Sequence, residues 1–131
     1  MFTRKKRPSI KSLLAAGTDV RGNLHFADGL RIDGSVHGNV HASTERPSLL
    51  VISESGQVEG EVVADHIIVN GLVRGPMQAR VLLELQPKAR VHGDVSYVAL
   101  EMHPGALITG QLKPVGSQEE KPTLKLAANN A

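Results

Sequence analysis

The chain lacks several residue types on which other classes of protein depend. Its 131 residues include no cysteine, no tryptophan and only three aromatic side chains, Phe2, Phe26 and Tyr97. Without cysteine there is no disulfide framework and no thiolate chemistry. The scarcity of aromatic rings leaves no platform on which nucleic-acid bases could stack. A narrow interior filled by Val, Ile, Leu and Ala suits this composition better than one built around bulky rings.

Long apolar runs are also absent from the chain. No apolar stretch approaches the ~20 residues that a membrane-spanning helix needs. The basic start is not followed by the long apolar stretch of a secretory signal. We therefore expect a cytoplasmic protein. A chain of 131 residues has room for one modest core, so we expect one domain.

The chain has instead a repeated seven-residue phrase, small-x-apolar-x-Gly-x-apolar. One copy reads Gly34-Ser-Val36-His-Gly38-Asn-Val40, and close copies begin at Gly56, Gly71 and Ala89. Looser copies flank these four. The recurring glycines are Gly22, Gly38, Gly60, Gly75, Gly93 and Gly110, spaced 15–22 residues apart. Such near-constant spacing predicts a solenoid of stacked coils.

Two further apolar pairs follow the phrase in each repeat, as in Val62-Val-Ala64 and Ile67-Ile-Val69. Apolar residues two positions apart predict strands with one buried face. Three short strands per repeat describe one coil of a three-sided parallel β-helix, here of about six coils over residues 18–112. The valines of the phrases are expected to be buried in register: Val36, Val40, Val58, Val62, Val91 and Val95.

Two local features qualify the repeat. The recurring glycine lies between two inward side chains, so we expect it to face inward, where it permits a bend or a close backbone approach. The longest glycine spacing contains residues 41–48, which we interpret as a polar loop bulging from one corner.

The ends of the chain differ from its middle. Residues 1–11 hold five of the fifteen basic residues and none of the thirteen acidic ones. A basic arm therefore precedes a mildly acidic body. Residues 114–131 lack strand periodicity and are expected to be disordered. The predicted organisation is a flexible basic arm over residues 1–13, a β-helix domain over residues 14–113, and a disordered tail over residues 114–131.

The repeated V-x-G-x-V phrases and the short polar tails resemble the bactofilin family over about residues 14–114. The start, Met1-Phe2-Thr3-Arg4-Lys5-Lys6, is similar to the N-terminal membrane-targeting segment of many bactofilins. The resemblance implies a right-handed β-helix that polymerises into filaments in bacteria without nucleotide. It also implies a membrane-apposed scaffold for cell-shape and cell-wall enzymes. A right hand agrees with the general preference of parallel crossovers.

The basic arm is the predicted membrane-binding site. Met1 and Phe2 are expected to insert into the lipid interface at the inner face of the cytoplasmic membrane. The cations Arg4, Lys5, Lys6 and Arg7 would meet anionic headgroups, each contributing ~1 kcal/mol. A solubilising tail and a nucleic-acid-binding arm remain alternatives. Because the body offers no basic face, we expect no nucleic-acid partner.

The two open ends of the β-helix are the predicted polymer interface. An open end exposes unpaired strand edges, which invite the addition of another chain. The interface is predicted at Val20, Leu24, Leu107 and Leu112, each expected to face inward in a terminal coil. The alternative is that the tails fold over the ends, for instance through residues 10–16, and leave a monomer.

The sequence gives little support to catalysis. His37 and His92 share a repeat position on an outward face, two or more coils apart, unlike the close pairs that hold a metal. Glu59 and Glu61 are expected to lie on a solvated face, and no nucleophile elbow or phosphate-binding loop is visible. We expect no enzyme activity, cofactor, metal site or small-molecule substrate. The rival fold, the left-handed β-helix of hexapeptide-repeat acyltransferases, needs a strict six-residue period that these repeats lack.

Overall fold

The computed structural model describes residues 8–115, and every helix or strand assigned within them is a β-strand. Val, Ile and Leu alternate with polar residues throughout, and recurring glycine disfavours helix. The strands are β1 (Ile10–Leu14), β2 (Asp19–Arg21), β3 (Leu24–Phe26), β4 (Gly29–Ile32), β5 (Ser35–His37), β6 (Val40–Ala42), β7 (Leu49–Ile52), β8 (Gln57–Glu59), β9 (Val62–Val69), β10 (Leu72–Arg74), β11 (Met77–Leu85), β12 (Arg90–His92), β13 (Val95–Met102), β14 (Leu107–Thr109) and β15 (Leu112–Pro114).

The strands stack in parallel as three faces of a solenoid. Face 1 is the six-stranded sheet β2-β5-β8-β10-β12-β14. The other sheet supplies two faces because β9, β11 and β13 are long enough to span two sides of the solenoid. Strand β9, for example, pairs with β6 through Val62 and Val40, and with β7 through Val69 and Ile52. Face 2 therefore holds β3, β6, the first halves of these long strands and β15. Face 3 holds β1, β4, β7 and the second halves. The predicted all-β solenoid of about six coils is confirmed.

The core consists of inward rows that run along the stack. One row on face 1 passes from Val36 through Val58 and Val73 to Val91, each paired in register with the next. All four side chains are at most 1% exposed. The burial predicted for the phrase valines is confirmed at every one of the six positions: Val36, Val40, Val58, Val62, Val91 and Val95. From Val36 to Val91 in the row on face 1 the stacked side chains are all valines, so each coil fills the same space as its neighbour.

The recurring glycines form a column with an unusual backbone. Their φ angles lie between +132° and +154°, a region that other residues rarely adopt. A Cβ built on Gly60 would lie 2.2 Å from the carbonyl oxygen of Gly38 in the preceding coil. The expected close backbone approach is therefore confirmed. The expected inward direction is wrong, because the absent side chain points along the stack towards the preceding coil, and Gly60 and Gly75 are partly exposed.

His41 and Ala42, predicted to lie in the loop, belong to strand β6, so the loop between β6 and β7 runs from Ser43 to Ser48. It is tied to the two following coils. Ser48 is completely buried. Its backbone N–H donates to Asp65 Oδ2 at 3.0 Å, and its hydroxyl accepts from the Asp65 N–H at 2.9 Å. Arg80 donates to Asp65 Oδ1 at 2.8 Å and to the Ser43 carbonyl at 3.2 Å. The loop is thus anchored at both its first and last residues.

The boundaries of the solenoid differ from those expected at its start. Strand β1 begins at Ile10, inside the segment assigned to the basic arm, and pairs with β4 through Leu14 and Ile32. Residues 10–14 are therefore a strand of the first coil. Residues 12–14 pair in register with residues 30–32 of the next coil, and the register shifts between Ile10 and Ser12. The last strand ends at Pro114. Residues 1–7 and 116–131, which include most of the predicted arm and tail, lie outside the described residues.

Candidate functional site

The N-terminal end of the solenoid presents the edges of β1, β2 and β3. Val20 and Leu24 occupy the inward rows of this coil, in register with Val36 and Val40. Both are only partly buried, whereas their partners in the next coil are at most 1% exposed. Among residues 8–115 the first coil has a neighbouring coil on one side alone, which accounts for this contrast. The predicted inward orientation of Val20 and Leu24 is confirmed.

The C-terminal end presents the second half of β13 together with β14 and β15. Leu112 continues the inward row of Val95, which is fully buried, yet Leu112 is 43% exposed. Met102 continues the inward row of Leu85 and is 46% exposed. Ile108 is partly buried and packs against the core. This end therefore exposes apolar side chains whose equivalents in inner coils are covered by a neighbouring coil.

Leu107 does not have the predicted orientation. It pairs in register with Arg90, which is an outward, exposed position, and its own side chain is 61% exposed. The inward position of this strand belongs to Ile108, in register with Val91. Strand alternation allows only one of two adjacent residues to face the core, so the expectation that Leu107 faces inward is wrong.

The backbone of each end offers both donors and acceptors to an added strand. Inside the stack, the Gly93 N–H donates to the Thr109 carbonyl at 2.9 Å, and the Leu107 N–H donates to the Ala89 carbonyl at 3.0 Å. The repeat therefore directs the N–H of Gly110 out of the C-terminal end. Unpaired groups of this kind are what strand addition satisfies.

Side-chain oxygens reinforce the stack beside the glycine column. Asn39 Oδ1 accepts from the Glu61 N–H at 2.9 Å, and Asp94 Oδ1 accepts from the Gln111 N–H at 3.0 Å. The Gln111 N–H, together with Lys113, lowers the pKa of the Asp94 carboxyl below its ordinary value, because both favour the charged form. The Asp94 contacts with Gln111 and Lys113 join the last coil to the one before it.

Two outward histidines, His37 and His41, lie beside carboxylates. His37 Nδ1 lies 3.0 Å from Glu59, and its Nε2 lies 3.1 Å from Asp19, so the ring bridges three coils of face 1. His41 similarly lies 3.0 Å from Glu61. The outward orientation expected for Glu59 is confirmed, and each of these two glutamates has a histidine as its neighbour. Such partly exposed pairs contribute little to stability.

One group of side chains on face 3 was not identified from the sequence. Glu84, Glu101 and His103 place ligand atoms within 4.8 Å of one another near the C-terminal end. The three residues lie up to nineteen positions apart, and only the register between β11 and β13 brings them together.

The predicted membrane-binding residues Met1, Phe2, Arg4, Lys5, Lys6 and Arg7 lie outside the described residues. The nearest described cation, Lys11, has its ammonium 3.7 Å from the Asp28 carboxylate. Within residues 8–115, no helix is both long enough and apolar enough to cross a bilayer.

Comparison with protein-family models gives one finding that covers the solenoid. A family model described as bactofilin, polymer-forming cytoskeletal, matches residues 12–113. Comparison with curated proteins gave no match, and comparison with solved structures gave none either. The matched range takes in all three faces and both open ends.

Proposed function

The chain belongs to the bactofilin family of polymer-forming cytoskeletal proteins, and we propose that its β-helices join through their two ends into nucleotide-independent filaments. The observation that carries this proposal is the exposure of inward-row side chains at both ends. Leu112 is 43% exposed and Met102 46%, although the same rows are fully buried one coil earlier. A second copy seated on this end would cover them as a further coil does.

The free energy available at such a junction is substantial. Covering one half-exposed leucine contributes on the order of 1–2 kcal/mol. The C-terminal end offers several such side chains, and three strand edges add backbone hydrogen bonds worth about 0.5–1.5 kcal/mol each. Loss of translational and rotational freedom opposes association by at least ~4 kcal/mol. The sum favours assembly at moderate protein concentration and requires no nucleotide.

The test of this interface is Leu112→Arg, with Thr109→Arg as its matched control. Both changes place the same cation on the last coil, but Leu112 continues an inward row and Thr109 is outward and exposed. We expect Leu112→Arg to give a folded monomer or short oligomer, and Thr109→Arg to assemble like the parent chain. Sedimentation velocity with circular dichroism measures both. Long filaments from folded Leu112→Arg protein would contradict a junction at this coil.

We further propose that the basic arm attaches the filament to the inner face of the cytoplasmic membrane. The support is the separation of charge: five cations and no acid in the first eleven residues. Each arm would bind weakly, and a polymer carrying many arms would bind strongly because weak contacts multiply. We also propose that cell-wall synthesis or remodelling enzymes are partners of the filament and that the chain itself has no enzyme activity. Both proposals rest on the family resemblance.

The arm is tested by deleting residues 2–7 and sedimenting the filaments with anionic and neutral liposomes. We expect intact filaments that no longer sediment with anionic liposomes. Binding by the parent chain should weaken at high salt because the cationic contribution is screened. Leu112→Arg retains the arm but not the polymer, so its binding should also be weak. Undiminished sedimentation after the deletion would refute the proposed role of the arm.

A further inference from the structure

The outward row of face 3 contains an unusual pair of carboxylates. In this row Leu13, Arg31, Val51, Ile68, Glu84 and Glu101 follow one another in register. Glu84 and Glu101 are the one register pair of two carboxylates among the paired strands of residues 8–115. Like charges directly opposite each other on neighbouring strands are destabilising. The arrangement calls for a compensating cation.

An imidazole lies beside this carboxylate pair. His103 is two residues after Glu101, on the same side of the chain, and its Nε2 lies 3.1 Å from Glu84 Oε2. Glu84 also accepts a hydrogen bond from the Gln86 amide at 2.8 Å, and its side chain is only 17% exposed. The Gln86 contact holds the Glu84 carboxylate in place, as outer-shell partners do for metal ligands.

A second histidine that lies beside two carboxylates has a different geometry. His37 directs its two ring nitrogens at separate carboxylates, Glu59 and Asp19, on opposite sides of the ring. No single ion can replace both contacts. At His103, by contrast, one nitrogen and two carboxylates all lie within 4.8 Å of one another. Ligand atoms about 2.0–2.2 Å from a tetrahedral zinc ion lie roughly 3.3–3.6 Å from one another. Side-chain rotations that move these atoms by about 1 Å therefore bring the three ligands to that separation.

We propose that Glu84, Glu101 and His103 bind a divalent transition-metal ion such as Zn²⁺. Imidazole nitrogen together with carboxylate oxygen suits Zn²⁺ better than Mg²⁺ or Ca²⁺, which prefer oxygen ligands alone. Three protein ligands leave a fourth tetrahedral position for water. Because Glu84 belongs to β11, Glu101 belongs to β13 and His103 directly follows β13, the ion joins the last two coils of face 3. It neutralises the carboxylate pair and stabilises the C-terminal end of the solenoid.

The first test is calorimetric titration of the full chain with ZnCl₂ in chelator-free buffer at neutral pH. We expect one Zn²⁺ per chain at this site, at least tenfold weaker binding by His103→Gln and by Glu101→Gln, and no competition from tenfold excess Mg²⁺. His92→Gln is the matched control, since it removes an exposed histidine from face 1. Equal zinc affinity of His103→Gln and the parent chain would overturn the proposal, and so would equal affinity for Ca²⁺.

The second test is thermal unfolding with and without Zn²⁺. An ion that binds only the folded chain raises the unfolding midpoint. We expect this rise in the parent chain and in His92→Gln, and its loss in His103→Gln. Glutamine retains a donor for the Glu84 contact, so the variant is expected to fold. A zinc-induced rise of the same size in all three proteins would show that Zn²⁺ acts elsewhere and would overturn the assignment.

Discussion

Gly60→Ala is expected to destabilise the solenoid strongly, because the glycine column has no room for a methyl group. A Cβ at Gly60 would lie 2.2 Å from the Gly38 carbonyl oxygen and 2.5 Å from its carbon. Both are backbone atoms of the preceding coil, so the clash can be relieved only if the two coils move apart. Forcing extra atoms into a packed site costs about 1–3 kcal/mol. An alanine at a φ of +154° adds about 1–3 kcal/mol of backbone strain.

Gly22→Ala is the matched control for this change. Gly22 is the first glycine of the column, with a φ of +132°, and a Cβ there meets nothing within 4 Å. It therefore carries the backbone strain without the steric clash. We expect a loss of about 1–3 kcal/mol for Gly22→Ala and about 2–6 kcal/mol for Gly60→Ala. For a domain of this size, 1 kcal/mol corresponds to about 4 °C or more in the unfolding midpoint.

The two variants are compared by thermal and denaturant unfolding in the Leu112→Arg background, because assembly would otherwise raise the apparent stability of each. Equal losses at Gly60 and Gly22 would refute the steric argument. In the parent background, the methyl group at Gly22 points out of the N-terminal end, where the proposed junction brings a second chain. Gly22→Ala should therefore impair filament growth more than its loss of stability explains.

Two further predictions concern the core and the last coil. Val58→Asp should prevent folding, since Val58 is fully buried and an unpaired carboxylate there costs more than about 4 kcal/mol; a native circular dichroism spectrum at neutral pH would contradict this. Asp94→Asn should reduce the acid sensitivity of unfolding. The Gln111 N–H and Lys113 lower the pKa of Asp94 in the folded chain. Asp94 therefore stabilises the fold at any pH above its unfolded pKa of about 4, and this stabilisation is lost as the pH falls through the lower folded pKa. Asparagine keeps the hydrogen-bond acceptor, as Asn39 shows in an earlier coil, so the variant is expected to fold. If the free energy of unfolding changed with pH below about 4 as steeply as in the parent chain, the role of the Asp94 carboxylate in acid sensitivity would be disproved.

The inward rows were predictable from the sequence because the glycine marks a fixed position in every repeat. Two residues before and two after it, the side chains of Val58 and Val62 face the core, as strand alternation requires. The same rule would have placed Leu107 correctly. The looser copy around Gly110 reads Ile108-Thr-Gly110-Gln-Leu112. It puts Ile108, not Leu107, two residues before the glycine, and the structure has Ile108 inward.

Other features of the structure depend on contacts between coils, which the sequence of a single repeat does not specify. The direction of the absent glycine side chain follows from a positive φ and from the position of the preceding coil, and neither is visible in the phrase. The meeting of Glu84 with Glu101 depends on the lengths of the intervening corners, which vary from coil to coil. The buried contacts of Ser48 with Asp65 also join residues from different corners. Pairwise contacts along the stack therefore required the structure.

Electron microscopy of the purified full chain in negative stain, without nucleotide, tests self-assembly through open ends most directly. We expect filaments from the parent chain and from Thr109→Arg, and short particles from folded Leu112→Arg. Uniform single particles from correctly folded parent chain, at concentrations far above those used for unfolding, would contradict this expectation.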